Sequence, residues 1–160
     1  MKKEKNRQWS VVICGSMSHY QSMANIQKAL YKESIISEIP KPDSAVYMNL
    51  ESCIPEVKRQ ASMAHIKKIR SPWTHAILVV NLDKHGIDSY IGPNTFAEIA
   101  VAFAQMKNIY LLNGIPDFYW DELSAWGAIP LRGNLKILVR DYLHHLREPQ
   151  QILLPGMQWL

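Results

Sequence analysis

One glutamate, Glu98, lies in the stretch of the chain whose residues are best suited to chemistry. Gly92 and Pro93 mark a turn before it, and Asn94 or Thr95 can begin a helix there. Apolar residues then recur at helical spacing: Phe96, Ile99, Ala100 and Phe103. The pattern predicts a helix with one carboxylate in its first turn. A carboxylate held at the mouth of a cleft can attack or stabilise an electron-poor carbon.

The same residues also fit an ordinary structural role for Glu98. In a capping box, the Thr95 hydroxyl accepts a hydrogen bond from the backbone N–H three residues on, and Glu98 reaches back to the N–H of the capping residue. A carboxylate in the first turn also suits the positive end of the helix dipole, which is worth about 0.3–1 kcal/mol. From the residues alone the cap is the commoner role, and both interpretations stay open.

A second candidate is the glycine turn after the first predicted strand. Gly15, Ser16, Met17 and Ser18 directly follow the apolar run Trp9–Cys14. Such a turn brings backbone N–H groups and small hydroxyls to the carboxyl end of a strand, where anions and sugars bind. The turn lacks both the dinucleotide-binding glycine pattern and the phosphate-loop lysine. A tight turn that merely needs glycine is therefore an equal alternative.

Short apolar runs and helical periodicities alternate along the chain and predict the elements that position these residues. Predicted strands cover residues 9–14, 33–39, 76–80, 108–112 and 128–131. The third is apolar on both faces, as in a central parallel strand. The last contains Pro130, which suits an edge strand.

The predicted helices lie between these strands. The first begins at a second capping box, Ser18-x-x-Gln21, and runs to about residue 32, and the next covers about 53–69 behind Ser52. The Glu98 helix runs towards Lys107, and an amphipathic helix over 135–146 is capped by Asn134. Four aromatic residues in a short helical segment are typical of packing or of a subunit contact: Phe118, Tyr119, Trp120 and Trp126.

Strands that alternate with helices predict a parallel, doubly wound sheet. We expect an α/β, Rossmann-like (flavodoxin-like) three-layer sandwich around a mostly parallel sheet of about five strands. Right-handed crossovers place the carboxyl ends of all these strands along one edge. The Gly15–Ser18 turn, Asn81–Asp83 and Asn113–Gly114 therefore share that edge with the start of the Glu98 helix. Ligands bind at such an edge where the strand order reverses.

Length and composition indicate one globular domain over residues 1–160. Charged residues make up 20% and hydrophobic residues 48%, which argues against general disorder. No apolar run approaches the ~20 residues that cross a bilayer, and the charged start leads into a strand rather than a signal-peptide core. We expect a cytoplasmic protein without a membrane partner. Residues 1–8 are expected to be a flexible tail, and residues 147–160 to pack on the body or on a partner subunit.

Cysteine and histidine spacings predict no metal site and no cofactor. Cys14 and Cys53 are the only cysteines, and neither belongs to a zinc-ligand spacing, so we expect reduced thiols. The six histidines lack the spacing of helical metal motifs.

The formal charge of +4 depends largely on the N-terminal residues and on one predicted helix. The basic residues of that helix are Lys58, Arg59, Lys67, Lys68 and Arg70. Nucleic-acid binding needs a contiguous basic face with groove-reading or aromatic elements. A solvated helix face is the more usual outcome, and a phosphorylated small molecule would also suit the charge. Nucleic acid is the weakest of the partners considered.

Three segments of the chain resemble the nucleoside 2-deoxyribosyltransferase superfamily, which includes 2'-deoxynucleoside 5'-monophosphate N-glycosidases. Val12–Met17 resembles that family's first strand followed by C-G-S or A-G-P. The glycine-containing loop before Glu98, with Ile99, Ala100 and Ala102 after it, resembles the G-x-x-x-E-[LIM]-G-x-A segment. Lys107–Leu112 resembles the strand gK-x-V-x-L-L. The resemblance covers roughly residues 9–113, and this chain is similar to a divergent branch.

The resemblance implies cleavage or transfer of the N-glycosidic bond of a nucleoside or nucleoside monophosphate. Glu98 would attack the anomeric carbon or stabilise positive charge there. Gly15, Ser16, Met17 and Ser18 would hold the sugar or its 5'-phosphate, with Asn81, Gly92, Asn94 and Thr95 as further substrate-binding residues. A homodimer or higher homo-oligomer is also implied.

Two positions depart from the family pattern. Val12 stands where many members have a tyrosine, and His75 where many have an aspartate that helps to protonate the leaving base. Asp83 or Asp88 can supply the missing acid, and the sequence does not choose between them. These departures allow a second hypothesis, in which the chain is a binding or signalling module that holds a nucleotide without turning it over.

Overall fold

The computed structural model describes residues 8–41 and 55–148. Over these ranges five strands form one parallel sheet in the order β2-β1-β3-β4-β5. The strands are β1 (Ser10–Gly15), β2 (Ile36–Glu38), β3 (Thr74–Val80), β4 (Asn108–Leu111) and β5 (Ile129–Pro130). The strand order reverses between β1 and β3, which makes their carboxyl ends the position where ligands bind in such sheets.

Helices cover both faces of the sheet and complete the three layers. The α-helices of the described ranges are α1 (Tyr20–Lys32), α2 (Pro55–Ile69), α3 (Pro93–Ala104), α4 (Trp120–Ala125) and α5 (Lys136–Arg147). One core lies between the sheet, α1 and α5, and a second lies between the sheet, α2, α3 and α4. The predicted α/β three-layer sandwich is confirmed.

Side chains of β1 alternate between the two cores. Val11 and Ile13 pack towards α1 and α5, whereas Val12 and Cys14 pack towards α2 and α3. All four are fully buried, because β1 has a hydrogen-bonded strand on each side and helices on both faces. This alternation decides that Cys14 faces the helices that carry the candidate site.

Several element boundaries differ from the sequence predictions. β2 is limited to Ile36–Glu38, and the predicted capping box at Ser18 is wrong, because a 3-10 turn over Met17–His19 precedes α1. Asn134 accepts a hydrogen bond from the Lys136 N–H, as a capping residue does, although α5 begins one residue later than predicted. The predicted cap Ser52, residues 1–7 and residues 149–160 lie outside the described residues.

The aromatic segment packs against α3. The rings of Phe96 and Tyr119 stack with centroids 4.1 Å apart, and Phe103 stacks on Trp126 at 5.0 Å. The predicted packing role is confirmed for Tyr119 and Trp126. Phe118 is 84% exposed. In the described ranges, no helix has both the length and the apolar character needed to cross a membrane.

Candidate functional site

A cavity of about 320 Å³ opens beside the carboxyl ends of β1 and β3. The turn after β1, one face of α2, the loop after β3 and the start of α3 form its walls. Seven of the eight predicted substrate-binding residues line this cavity: Gly15, Ser16, Met17, Ser18, Gly92, Asn94 and Thr95. Glu98 lines it as well. The sheet topology therefore brings together two segments that are far apart in sequence.

Glu98 faces this cavity instead of capping its own helix. Helix α3 begins at Pro93 behind Gly92, which places Glu98 in the second turn, and no acidic residue lies in the first turn. The predicted capping box with Thr95 is therefore wrong. Glu98 is 6% exposed and shares the buried face of α3 with Ile99 and Ala102. A glutamate on that face must either point into the core or find an opening, and the cavity provides the opening.

The surroundings of Glu98 favour its protonated form. Burial raises the pKa of Glu98 to about 7, and the neighbouring Cys14 thiol opposes part of that rise as a hydrogen-bond donor. Asn94 donates a long hydrogen bond of 3.5 Å to Glu98 Oε1. A carboxyl group with this pKa loses its proton near neutral pH, which is the range in which enzymes use acids, bases and nucleophiles.

Two further buried groups, Cys14 and His65, lie next to Glu98. The Cys14 Sγ and His65 Nε2 atoms are 3.5 Å apart, and burial raises the pKa of the Cys14 thiol well above its usual value. Burial also lowers the pKa of His65 to about 4, so that this imidazole is neutral at physiological pH. The nearest ligand atoms of Cys14, His65 and Glu98 all lie within 4.8 Å of one another. Sequence spacing gave no sign of this cluster, because each residue comes from a different element.

The turn after β1 packs closely against β3 and is joined to Lys84 by a hydrogen bond. A Cβ atom on Gly15 would lie 3.1 Å from the Val80 carbonyl oxygen, a tight contact that glycine avoids where β1 and β3 approach each other. The Ser16 and Ser18 hydroxyls are 2.9 Å apart. Lys84 Nζ donates a hydrogen bond of 3.0 Å to Ser16 Oγ. The turn thus presents two hydroxyl groups at the cavity wall, and Lys84 adds an ammonium group beside them.

Two lysines, of which only Lys84 was not anticipated from the sequence, make one side of the cavity cationic. Lys84 comes from the loop after β3, and its Nζ lies 5.9 Å from the centre of the Tyr90 ring. Lys58, on α2, is a second lysine in the cavity wall. The basic residues of α2 were recognised in the sequence, but only the helix orientation shows which of them faces the cavity.

The other predicted residues of this edge lie outside the cavity wall. Asn81 is fully buried, and its amide donates hydrogen bonds to the Ser89 and Gly114 carbonyl oxygens, joining two loops. Asp83 Oδ1 accepts a hydrogen bond from the Ser89 N–H. Asp88 is exposed. Asp83 and Asp88 are not brought together with Glu98 among the described residues that line the cavity.

The two positions that depart from the family pattern also lie outside the cavity wall. Val12 is fully buried in the core that β1 shares with α2 and α3. His75 lies at the amino end of β3, where its ring is 4.3 Å from that of His145. Because the cavity lies at the opposite edge of the sheet, His75 is not placed to protonate a group bound there.

Comparisons of this chain with protein-family models, with curated proteins and with solved structures gave no significant match. A function is therefore inferred from the geometry of the site and from the sequence resemblance. The site combines a buried carboxyl group with a neutral histidine, small hydroxyls and two lysines. Such a wall can bind a polar ligand that carries a phosphate and can place a carboxylate beside an electron-poor carbon.

Proposed function

We propose that this protein cleaves or transfers the N-glycosidic bond of a nucleoside or nucleoside monophosphate, with Glu98 as the nucleophile. One observation carries the proposal. The Glu98 carboxyl group, only 6% exposed, lines the cavity at the strand-order reversal instead of capping its helix. A buried acid costs free energy of folding, and a role in chemistry accounts for its presence in this position.

The proposed reaction uses the ionised form of Glu98. A carboxylate oxygen forms a bond to the anomeric carbon while the bond from that carbon to the base nitrogen breaks. The electron pair leaves with the base, which takes up a proton from solvent. Water or a second base then attacks the glycosyl carbon, loses a proton to solvent and releases Glu98 as a carboxylate. The transition state resembles an oxocarbenium ion, so a nearby carboxylate stabilises its positive charge.

The cationic wall fits the remainder of such a ligand. Ser16, Ser18 and Lys84 form a connected set of hydrogen-bonding groups at the glycine turn. Phosphate oxygens accept charge-assisted hydrogen bonds from ammonium groups, which are about twice as strong as neutral ones. We therefore propose that a 5'-monophosphate binds at Lys84, with its sugar extending towards Glu98.

Release of free base from a panel of nucleosides and monophosphates tests this proposal. The wild-type protein, with or without an acceptor base, is compared with Glu98→Gln and with the exposed control Glu122→Gln. We expect Glu98→Gln to reduce turnover by about 10³-fold or more, since removal of a nucleophile typically costs at least that much. The Glu122 variant keeps wild-type turnover. Absence of turnover on the whole panel, or unchanged turnover in Glu98→Gln, contradicts the proposal.

A second candidate function is nucleotide binding without turnover. Glu98 is the sole carboxylic acid among the described residues of the cavity wall, so the wall offers no second carboxyl group to protonate a leaving base. A silent module would raise its melting temperature with a nucleotide but release no base. The same panel, read by thermal shift and by base release, separates the two functions.

The proposal also includes a cytoplasmic location, which the composition favours, and a homodimer or higher homo-oligomer, which the resemblance implies. Two exposed aromatic residues at the start of α4 and in the turn before it suit a contact between subunits, since Phe118 is 84% and Trp120 55% exposed. Light scattering during size-exclusion chromatography would measure the mass in solution. A monomer at all concentrations would contradict the oligomer.

A further inference from the structure

The catalytic proposal uses Glu98 but gives no role to Cys14 or His65. The three residues come from α3, β1 and α2, and each is buried in the described structure. Their nearest ligand atoms lie within 4.8 Å of one another. A thiol, an imidazole and a carboxyl group that converge in this way are a recognised ligand set for transition metals.

The distances are close to those of a zinc site. Tetrahedral zinc, with bonds of about 2.0–2.3 Å, holds its ligand atoms about 3.3–3.6 Å apart. Cys14 Sγ and His65 Nε2 already lie 3.5 Å apart. Coordination by Glu98 requires only a rotation of its side chain, since a carboxylate oxygen already lies within 4.8 Å of the other two ligand atoms. His65 and Glu98 also line the cavity, which gives an ion a route to the buried thiol.

The charges of the three residues suit a divalent cation. A thiolate and a carboxylate together balance two positive charges, and neutral imidazole adds none. An ion bound by three protein ligands keeps its fourth position for water, as in open zinc sites. Hard cations such as Mg²⁺ prefer oxygen ligands and do not suit a thiolate.

We propose that Cys14, His65 and Glu98 form a binding site for a thiophilic divalent cation of the zinc class, which engages the Glu98 carboxylate and blocks the cavity. Binding of the ion depends only on the three side chains. The inhibitory effect rests on the proposed function, because it requires Glu98 to act in turnover.

Titration of the chelator-treated full chain with Zn²⁺, and separately with Mg²⁺, tests the site by calorimetry. We expect one strong Zn²⁺ equivalent per chain that Cys14→Ser and His65→Gln each weaken by at least about 100-fold, since even outer-shell partners cost 10–100-fold. Mg²⁺ gives no comparable heat. Cys53→Ser, at the other cysteine of the sequence, and His85→Asn, at an exposed histidine, are matched controls that keep the wild-type affinity.

Titration of the same proteins with Co²⁺ gives a second measurement that does not depend on a variant being stable. Wild type and Cys53→Ser should show a thiolate-to-cobalt charge-transfer band, and Cys14→Ser should lack it. A chain that binds no Zn²⁺, or whose binding is unchanged in both Cys14→Ser and His65→Gln, overturns the proposal.

Failure of the site and failure of the proposed function give different results. Zinc binding at this cluster with no base release on any substrate leaves the metal site standing and removes the glycosidic function. Base release that depends on Glu98, in a chain that neither binds Zn²⁺ nor is inhibited by it, leaves the glycosidic function standing and removes the metal site. Where both hold, Zn²⁺ should inhibit turnover, and Cys14→Ser should resist that inhibition.

Discussion

Glu98 combines two properties that rarely occur together: burial in a hydrophobic face and access to a cavity. The spacing of Thr95 and Glu98 fits a capping box, but the helix begins at Pro93 and the cap is not formed. The sequence could not decide this, because Gly92 and Thr95 can both precede the first helical residue, and the choice between them changes the role of Glu98. The role of Glu98 therefore depends on where Gly92 and Pro93 start the helix.

The activity of the protein should depend on ionisation of Glu98. The pKa of about 7 means that the nucleophilic carboxylate forms as the pH rises through neutrality. We expect kcat/KM to fall about tenfold for each pH unit below about 6.5 and to level off above about 8. A pH profile of base release measures this. A profile that is flat from about pH 5 to 9 would contradict a nucleophilic role for Glu98.

The same pKa makes a prediction about stability. A folded-state pKa above the usual value of 4.5 means that the native state binds more protons between the two pKa values, so the free energy of unfolding falls as the pH rises from about 4.5 to about 7 and levels off above. The Glu98→Gln variant does not lose this stability with rising pH, because glutamine does not ionise. We expect the variant to be more stable than wild type by roughly 2–3 kcal/mol at pH 8 and to differ little at pH 4.

Urea unfolding of wild type and Glu98→Gln at several pH values measures that difference. The exposed Glu122→Gln serves as the control and should follow wild type. Equal stability of wild type and Glu98→Gln at pH 8 would show that the carboxylate is well solvated.

Within the elements, the turn after β1 depends on close contact between two strands. A Cβ at position 15 would lie 3.1 Å from the Val80 carbonyl oxygen, a backbone atom that cannot rotate away. We expect Gly15→Ala to lower the free energy of unfolding by about 1–3 kcal/mol, as overpacking commonly does. Chemical denaturation measures the loss, and ligand affinity should fall with it.

Gly114→Ala is the matched control for this element. A Cβ there would meet only the Ser89 hydroxyl at 3.6 Å, which is ordinary contact. The control should stay close to wild type. If Gly15→Ala were equally stable, the close approach of the turn to β3 would not limit this site.

The elements themselves were largely predictable. The apolar runs gave β1, β3 and β4 because buried parallel strands are apolar on both faces, and the proline that follows Ile129 in β5 marked the edge strand. Alternation along β1 also places Cys14 with Val12 on one face. The meeting of Cys14 with His65 could not be predicted, because it depends on how α2 is rotated on the sheet. Lys84 was missed for a similar reason, since the conformation of its loop follows tertiary contacts.

In the whole molecule, the buried His65 and the half-buried His75 should limit stability in acid. The pKa values of His65 and His75 are each lowered to about 4, chiefly by burial. Unfolding raises them towards 6.5, so the unfolded chain binds more protons below that pH. Their contribution to stability is present above about pH 6.5 and is lost as the pH falls towards 4.

His75→Asn should make the free energy of unfolding less steeply dependent on pH between about 6.5 and 4. His75 packs against His145 and Tyr142, with the Asn108 amide 3.4 Å from its Nε2. After burial, His145 and Lys107 add to the lowering of its pKa, and Asp141 opposes it. Denaturation at a series of pH values measures the slope, and the exposed His85→Asn is the control. An unchanged slope in His75→Asn would contradict this assignment.

The strand order β2-β1-β3-β4-β5 places the turn after β1, the loop after β3 and the start of α3 at one edge. The resemblance to the nucleoside 2-deoxyribosyltransferase superfamily gave a chemical meaning to the Glu98 segment, and the fold supplies a cavity beside it. Neither the sequence pattern nor the sheet topology determines which ligand binds, because polar cavity walls of similar composition bind different sugars and phosphates.

A crystal structure of Glu98→Gln with a nucleoside monophosphate tests the central claim most directly, since the variant binds the ligand without turning it over. We predict that the substituted side chain at position 98 contacts the sugar within about 3–3.5 Å of the anomeric carbon, the separation of a reactive pair. We also expect the phosphate at Ser16 and Lys84. A sugar bound away from residue 98, or a side chain at that position turned into the core with the ligand in place, would contradict the account.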